Sequence, residues 1–212
     1  MNIIWVIREI CAAEGGFEDM FNRQDSYRRL TELSDDKKDA ELFAKLISGR
    51  ARETVAELIH DAYNYESYVP KIRAELTRSG LTEADARRAL EIFYEAFGFP
   101  GYRRTDPKKM GLVISEDGNF RTEYTGEVRD GKEHGVGIRT CYYEGKWCNY
   151  DECVWVDGVM CGYDNAKEME FGMFEDKKIG FVVNDCFVGK MRVIPAGEDE
   201  PFDDNFTKLN IK

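Results

Sequence analysis

Three groups of residues have types and spacings that invite chemistry. Gly126-Glu-Val-Arg-Asp-Gly131-Lys132 has the G-x-x-x-x-G-K spacing of a loop whose backbone N–H groups cradle phosphate. Asp130 followed by Glu144-Gly145-Lys146 has the D…E-x-K form that gathers magnesium near an attacking water. Cys148, Cys153 and Cys161, with only His60 and His134 to help, are the one set that a zinc ion could use.

Each group then has to be placed on elements that would position it. A phosphate loop must leave a buried strand and open a helix, with Ser or Thr after the lysine to hold magnesium. Here Glu133 follows Lys132, Glu127 and Asp130 add charge inside the loop, and "HGVGIRTCYY" continues as glycines and β-formers. The spacing therefore predicts a turn between two strands. Glu144 and Lys146 fall at alternating positions beside a glycine, where solvated charges are expected, and the surrounding half is acidic. None of the six cysteines forms a C-x-x-C pair, so reduced thiols in strands are expected and no metal or other cofactor is assigned. With two histidines available as base, a nucleophile–histidine arrangement has little material. The sequence reads as a non-enzyme.

Composition bounds the partners. Of 212 residues, 41 are Asp or Glu and 30 Lys or Arg, a net charge of −11, while 33% are charged and 42% hydrophobic, as in ordinary globular chains. The charge argues against nucleic acid and against an anionic membrane, and points to a neutral or basic protein partner. Residues 1–105 carry a net −3 and residues 106–212 a net −8. No stretch has the roughly 20 apolar residues of a membrane span, and the opening "MNIIWVIREIC" meets charge only after its apolar run, unlike a signal peptide. An amphipathic helix and a cytoplasmic location are expected.

Residues 1–104 have helical periodicity. "SDDKKDAELFAKLIS" predicts a helix capped by Ser34 and burying Leu42, Phe43, Leu46 and Ile47. "RARETVAELIHDAY" buries Val55, Leu58, Ile59 and Ala62, with His60 beside the stripe as a solvated side chain. Pro70 is placed in the first turn of the next helix. Thr82 and Asp85 open a last helix that buries Ala86, Leu90, Phe93 and Phe97 and stops at Gly98. Five or six short helices make a bundle, similar in layout to helical domains of uncharacterised bacterial proteins. From residue 110 the period becomes two. Seven runs, among them "GLVIS", "ECVWV" and "MEFGMF", are separated in part by Asp117-Gly118, Asp130-Gly131 and Asp157-Gly158. The fold class is thus α+β, an N-terminal helical bundle (1–104) followed by an antiparallel β-meander (110–195) and an acidic tail (196–212).

The glycine cadence of the meander resembles the MORN (membrane occupation and recognition nexus) repeat. Tyr124-x-Gly126-x-Val128 with Gly131, Gly135 and Gly137 carries it most fully. Tyr143-x-Gly145-x-Trp147 repeats it nineteen residues on, and Gly172-x-Phe174 with Gly180-x-Val182 repeats it in part. The resemblance implies stacked hairpins, with His134 at a position where the family often has histidine. It also implies a scaffolding or adaptor role, and for some members association with phosphoinositide membranes, against which the acidity of this half argues. The candidate partner-binding residues are Tyr143, Glu144, Trp147, Tyr150, Trp155 and Tyr163, within a ring-rich stretch that also holds Tyr142, and Phe202 in the tail, with Phe206 as a second anchor. Two other functions remain open: an acidic inhibitor of the immunity or anti-defence type that occludes a basic site, and a metal-dependent hydrolase or nuclease. Exposed hairpin edges also allow a homodimer.

Overall fold

The computed structural model describes residues 1–13, 15–22, 26–170, 174–195 and 202–205; residues 168–170, 174–175 and 202–205 are described by their backbone only. Among them are seven α-helices: α1 (Ile3–Ala12), α2 (Gly16–Asn22), α3 (Ser26–Leu33), α4 (Lys37–Ser48), α5 (Arg52–His60), α6 (Tyr65–Arg78) and α7 (Glu83–Ala96). A 3-10 turn, Ala62–Asn64, lies between α5 and α6. The expected apolar stripes are all buried, Leu42 to Ile47 on α4, Val55 to Ala62 along α5 and the turn after it, and Ala86 to Phe97 on α7. Thr82 caps α7 as its spacing predicts, accepting from the Asp85 N–H.

Three local expectations are corrected. The N-cap of α4 is Asp36, whose side chain accepts from the Asp39 N–H at 3.0 Å, while the Ser34 hydroxyl accepts from the Asp36 N–H one step earlier. Pro70 sits inside α6, which starts at Tyr65 and so leaves the Glu66 carbonyl without its helical donor. His60 is half-buried, because the strand Cys186–Ile194 crosses it at Gly189, where an added Cβ would overlap the His60 backbone.

Among the described residues eight strands follow: β1 (Met110–Asp117), β2 (Phe120–Arg129), β3 (Lys132–Tyr143), β4 (Lys146–Val156), β5 (Val159–Glu170), β6 (Phe174–Val183), β7 (Cys186–Ile194) and β8 (Phe202–Asn205). Their order in the sheet is their order in the chain, each antiparallel to the next. Lys132 opens β3, so the phosphate-loop spacing is a hairpin turn, with Asp130 and Gly131 at φ 51° and 76°. "KWCNYDECVWV" is one strand, and β5 runs through the polar "GYDNAKE", which lies outside the seven apolar runs of the sequence. "MEFGMF" spans the end of β5 and the start of β6, and Gly172 of the third repeat lies outside the described residues.

The two halves share one core. Apolar side chains of all seven helices pack with Cys161, Tyr163, Ile179, Phe181, Val183 and Val188 of β5–β7. At its centre the rings of Phe17, Phe93, Phe97, Phe99, Tyr163 and Phe181 form a connected chain of contacts, with Phe97 to Phe181 at 5.3 Å and Phe99 to Tyr163 at 5.1 Å between centroids.

The C-terminus of α7 forms the seam. Register shifts between β4 and β5 after Glu152, and the freed Tyr163 N–H donates 2.8 Å to the Phe97 carbonyl. Arg8 of α1 donates to the Glu95 and Ala96 carbonyls at 2.9 Å, and Arg103 donates 2.7 Å to that of Gly98. Four consecutive carbonyls at the negative end of a helix are thus satisfied by two guanidinium groups and one strand amide. Burial pulls Arg8 down to about 10, which still leaves it charged at neutral pH. Arg8→Lys keeps the charge and loses the fork that spans two carbonyls, so unfolding in urea should show a loss of about 1–2 kcal/mol; unchanged stability would mean that one donor suffices.

A smaller core lies on the other face of the sheet. Tyr124, Cys153 and Trp155 are fully buried there, with Val113, Val128 and Met160 against them. The Tyr124 ring crosses Gly126 and Gly137, where an added Cβ at Gly126 would lie 2.5 Å from its hydroxyl oxygen, and that hydroxyl donates 3.0 Å to the His134 carbonyl. The Trp155 indole N–H donates 3.3 Å to the Gly137 carbonyl, and its ring carries the Arg139 guanidinium at 3.9 Å. The glycines are there because two large rings occupy their side-chain space.

Candidate protein-binding face

Directly opposed residues of neighbouring strands share a face. One row therefore runs Leu112, Thr125, Ile138, Glu152, Asn165, Ile179, and the next runs Ile114, Glu123, Thr140, Tyr150, Lys167. Ile179 lies in the main core, so both rows belong to the helix side of the sheet. The helices cover this side over β4–β7, where α1 meets β4 and β5 and α5 meets β7. On β1–β3 the same rows reach solvent: Leu112 is 58% exposed, Ile114 45% and Ile138 42%. The result is an apolar stretch bordered by Glu123 and Glu152, continuous with the covered part of the sheet.

The predicted contact residues are dispersed over this framework. Tyr150 is half-buried and shares the row of Ile114. Tyr143 is 42% exposed but lies on the opposite face, against Phe120 at 4.9 Å between ring centroids. Glu144 is exposed in the β3–β4 turn at φ 49° and accepts from the Asn119 amide at 3.3 Å. Trp147 is half-buried, 6.4 Å from the Tyr150 ring. Trp155 is no surface residue: it is fully buried in the small core, because its indole covers the glycine rows. Tyr163 is 6% exposed and belongs to the helix–sheet seam. Phe202 is paired through its backbone with Val193, and Phe206 lies outside the described residues with the rest of the tail beyond Asn205. Leu112, Ile114 and Ile138 had no distinguishing signal, since "GLVIS" is apolar at consecutive positions and does not say which face is covered.

Beside the seam, a cleft of about 320 Å³ opens between the 100–103 connection and β4–β6. Its wall carries an ion pair of Arg103 with Glu152, an Asn165 amide donating 3.0 Å to the same carboxylate, and Lys177. Burial pushes the Glu152 carboxyl up, but Arg103 and Asn165 outweigh it and hold the carboxyl below its ordinary range. Behind this wall is Asp164, which is fully buried with neither carboxylate oxygen hydrogen-bonded among the described residues. Burial drives its pKa well above the ordinary value, nearby Asp151 adds to this and Arg103 opposes it. Asp164 carries no signal in the sequence, because one acid within "GYDNAKE" has the character of a solvated side chain.

The groups first considered for chemistry are apart or enclosed. His134 is 3% exposed and stacks on Trp5 at 4.4 Å with 7° between the ring planes. Burial, helped by Arg129, lowers its pKa and keeps it neutral. Cys153 and Cys161 are buried and Cys148 is half-buried, with its thiol 3.5 Å from the Lys146 carbonyl. Among the described residues no three His, Cys, Asp or Glu side chains gather as metal ligands, and no helix is long and apolar enough to cross a membrane. No family model, curated protein or solved structure matches the chain.

Proposed function

We propose that this chain is a non-catalytic adaptor, in which a MORN-like sheet presents its helix-side face on β1–β3 to a neutral or basic protein. The observation that carries the reading is the exposure of Leu112, Ile114 and Ile138, three large aliphatic side chains in two neighbouring rows of one face, bordered by Glu123 and Glu152 with their partners Arg121 and Arg103. An apolar centre with a rim of charged pairs suits a partner with an aliphatic or aromatic anchor, and the net charge of −11 favours basic residues around that anchor. The MORN-like part is supported by the packing of Tyr124 over Gly126 and Gly137, which gives the repeat's glycines a mechanical task.

The test is affinity capture from the native host with the wild-type chain and with Leu112→Asp/Ile138→Asp, each analysed by mass spectrometry. Both positions are exposed, so the variant should keep its melting temperature within a few degrees. A stoichiometric protein retained by the wild type should fall at least about tenfold with the variant, the effect of losing roughly 1.4 kcal/mol of contact. Equal retention by both chains would remove this face from the function. Weakening of the complex between low and high salt would further assign the charged rim a direct role, as the inhibitor reading requires.

A further inference from the structure

We infer that β1 pairs with β1 of a second copy, forming a two-fold dimer in which the two sheets become one. β1 is the first strand of the sheet and, among the described residues, is paired on one side only. Its register with β2 is unbroken from Met110 to Asp117, and it contains no proline. It thus lacks the bulge or proline that commonly blunts an edge, and its charges sit at the ends, leaving an apolar centre.

The phase of its hydrogen bonds shows which groups are free. Asp117 pairs with Phe120 across the two-residue turn Gly118-Asn119, with Gly118 at φ 59°. In a two-residue hairpin the flanking residues exchange both backbone bonds, and the direction then alternates along the strand. Asp117, Ser115, Val113 and Gly111 therefore turn their N–H and C=O groups to β2. The Lys109 carbonyl agrees, accepting from the Val128 N–H at 2.8 Å. Met110, Leu112, Ile114 and Glu116 turn theirs to the open edge.

A second copy fits this edge better than an arbitrary strand because the edge is complementary to itself. A two-fold axis through Val113 places Leu112 opposite Ile114 of the other copy and Met110 opposite Glu116, and all four residues present outward backbone groups. The same operation sets the exposed Lys108-Lys109 end of one copy beside the exposed Glu116-Asp117 end of the other. A two-residue slip toward Asp117 loses this charge match, while a slip toward Lys108 exchanges the Lys109–Asp117 opposition for one of Lys108 with Glu116 and sets Lys109 against Ser115. With the axis through Val113, that residue faces its own copy in a non-hydrogen-bonded pair, where Cα atoms lie about 4.5 Å apart. The dimer uses backbone groups of the edge and leaves the Leu112–Ile138 face open, so it stands or falls separately from the adaptor reading.

The test is sedimentation of the full chain over a concentration series up to about 200 µM, a range that covers small, weak interfaces. A mass approaching twice 24.5 kDa is expected. Ile114→Pro removes an outward N–H and no hairpin bond, so it should return the chain to monomer without unfolding it. Val113→Cys should cross-link under copper–phenanthroline oxidation, with mass spectrometry identifying the substituted peptide joined to itself, while Ser115→Cys should not self-link at that rate. If Ile114→Pro disturbs folding, the Val113→Cys cross-link alone decides. A monomeric mass throughout, an Ile114→Pro dimer as strong as wild type, or equal cross-linking at both positions would overturn the inference.

Discussion

Gly162→Ala is expected to cost about 3–5 kcal/mol of folding stability, combining backbone strain with overpacking. Gly162 lies at φ 138°, a conformation that side chains rarely adopt, and an added Cβ would overlap the Phe97 carbonyl oxygen and sit 3.0 Å from its carbon. The obstacle is backbone on both sides, so no rotamer change relieves it. Nor can Phe97 retreat, because its carbonyl accepts from Tyr163 and the neighbouring carbonyls are held by Arg8 and Arg103. Urea unfolding monitored by circular dichroism measures the loss. Near-ultraviolet signal from the seam aromatics should fall with it, since Phe97, Phe99, Tyr163 and Phe181 pack where the two segments meet. A loss below about 1 kcal/mol, as for an ordinary surface glycine, would show that the seam is not held this tightly.

Asp164→Asn is expected to act in the opposite direction and to depend on pH. A carboxyl buried with neither oxygen hydrogen-bonded among the described residues is driven to its neutral form against the opposing pull of Arg103 and the Asn165 N–H, so its folded-state pKa stands above its unfolded one. The penalty is absent below the unfolded value, where both states are protonated, and grows as pH rises from about 4 toward the folded pKa. The amide has nearly the same shape and never ionises. At pH 8 it should therefore stabilise the chain by roughly 2–3 kcal/mol, seen as a rise of about 5–10 °C in melting temperature, and near pH 4 the difference should almost vanish. Asp151, Glu152 and Arg103 surround the group electrostatically and remain in both chains, so the difference between the two curves isolates position 164. A variant equally destabilised at both pH values would mean that the carboxylate has a partner in solution that the fold requires.

Both predictions arise at the seam, and the seam was the least legible part in the sequence. Helical stripes such as Leu42 to Ile47 and Val55 to Ala62 were readable because burial on one side of a helix writes itself at fixed spacing. The meander was readable for the same reason, with Asp-Gly pairs at turns that demand positive φ. Arg8 looked like the polar end of an apolar run, and it proved to be buried under the last turn of α7, 87 and 88 residues away in the chain. Gly162 and Asp164 lie in a polar stretch that does not read as a strand, because the bulge beside it is shaped by Phe97 and not by its own side chains.

The contact surface divides in the same way. Ring side chains gathered in "TCYYEGKWCNYDECVW" suggested one aromatic patch, but strand alternation sends Tyr143 and Tyr150 to opposite faces and encloses Trp155. The aliphatic residues that do reach solvent, Leu112, Ile114 and Ile138, are chemically indistinguishable from core residues along the chain. They are exposed because the helical layer, which reaches the β2–β3 hairpin through Trp5 on His134 and Glu9 with Arg129, stops short of their rows.

By itself the sequence determined the order of elements, the change from helical to extended period near residue 110, and the hairpin at Asp130-Gly131 in place of a phosphate loop. These are local properties, set by side-chain spacing and allowed φ values within a few residues. Only the tertiary structure decided that helices and sheet share one core, that Asp164 is sealed on the sheet's other face, and which apolar face and which strand edge are left open among the described residues. Burial is a relation between distant segments, and no short stretch of chain encodes what will come to rest upon it.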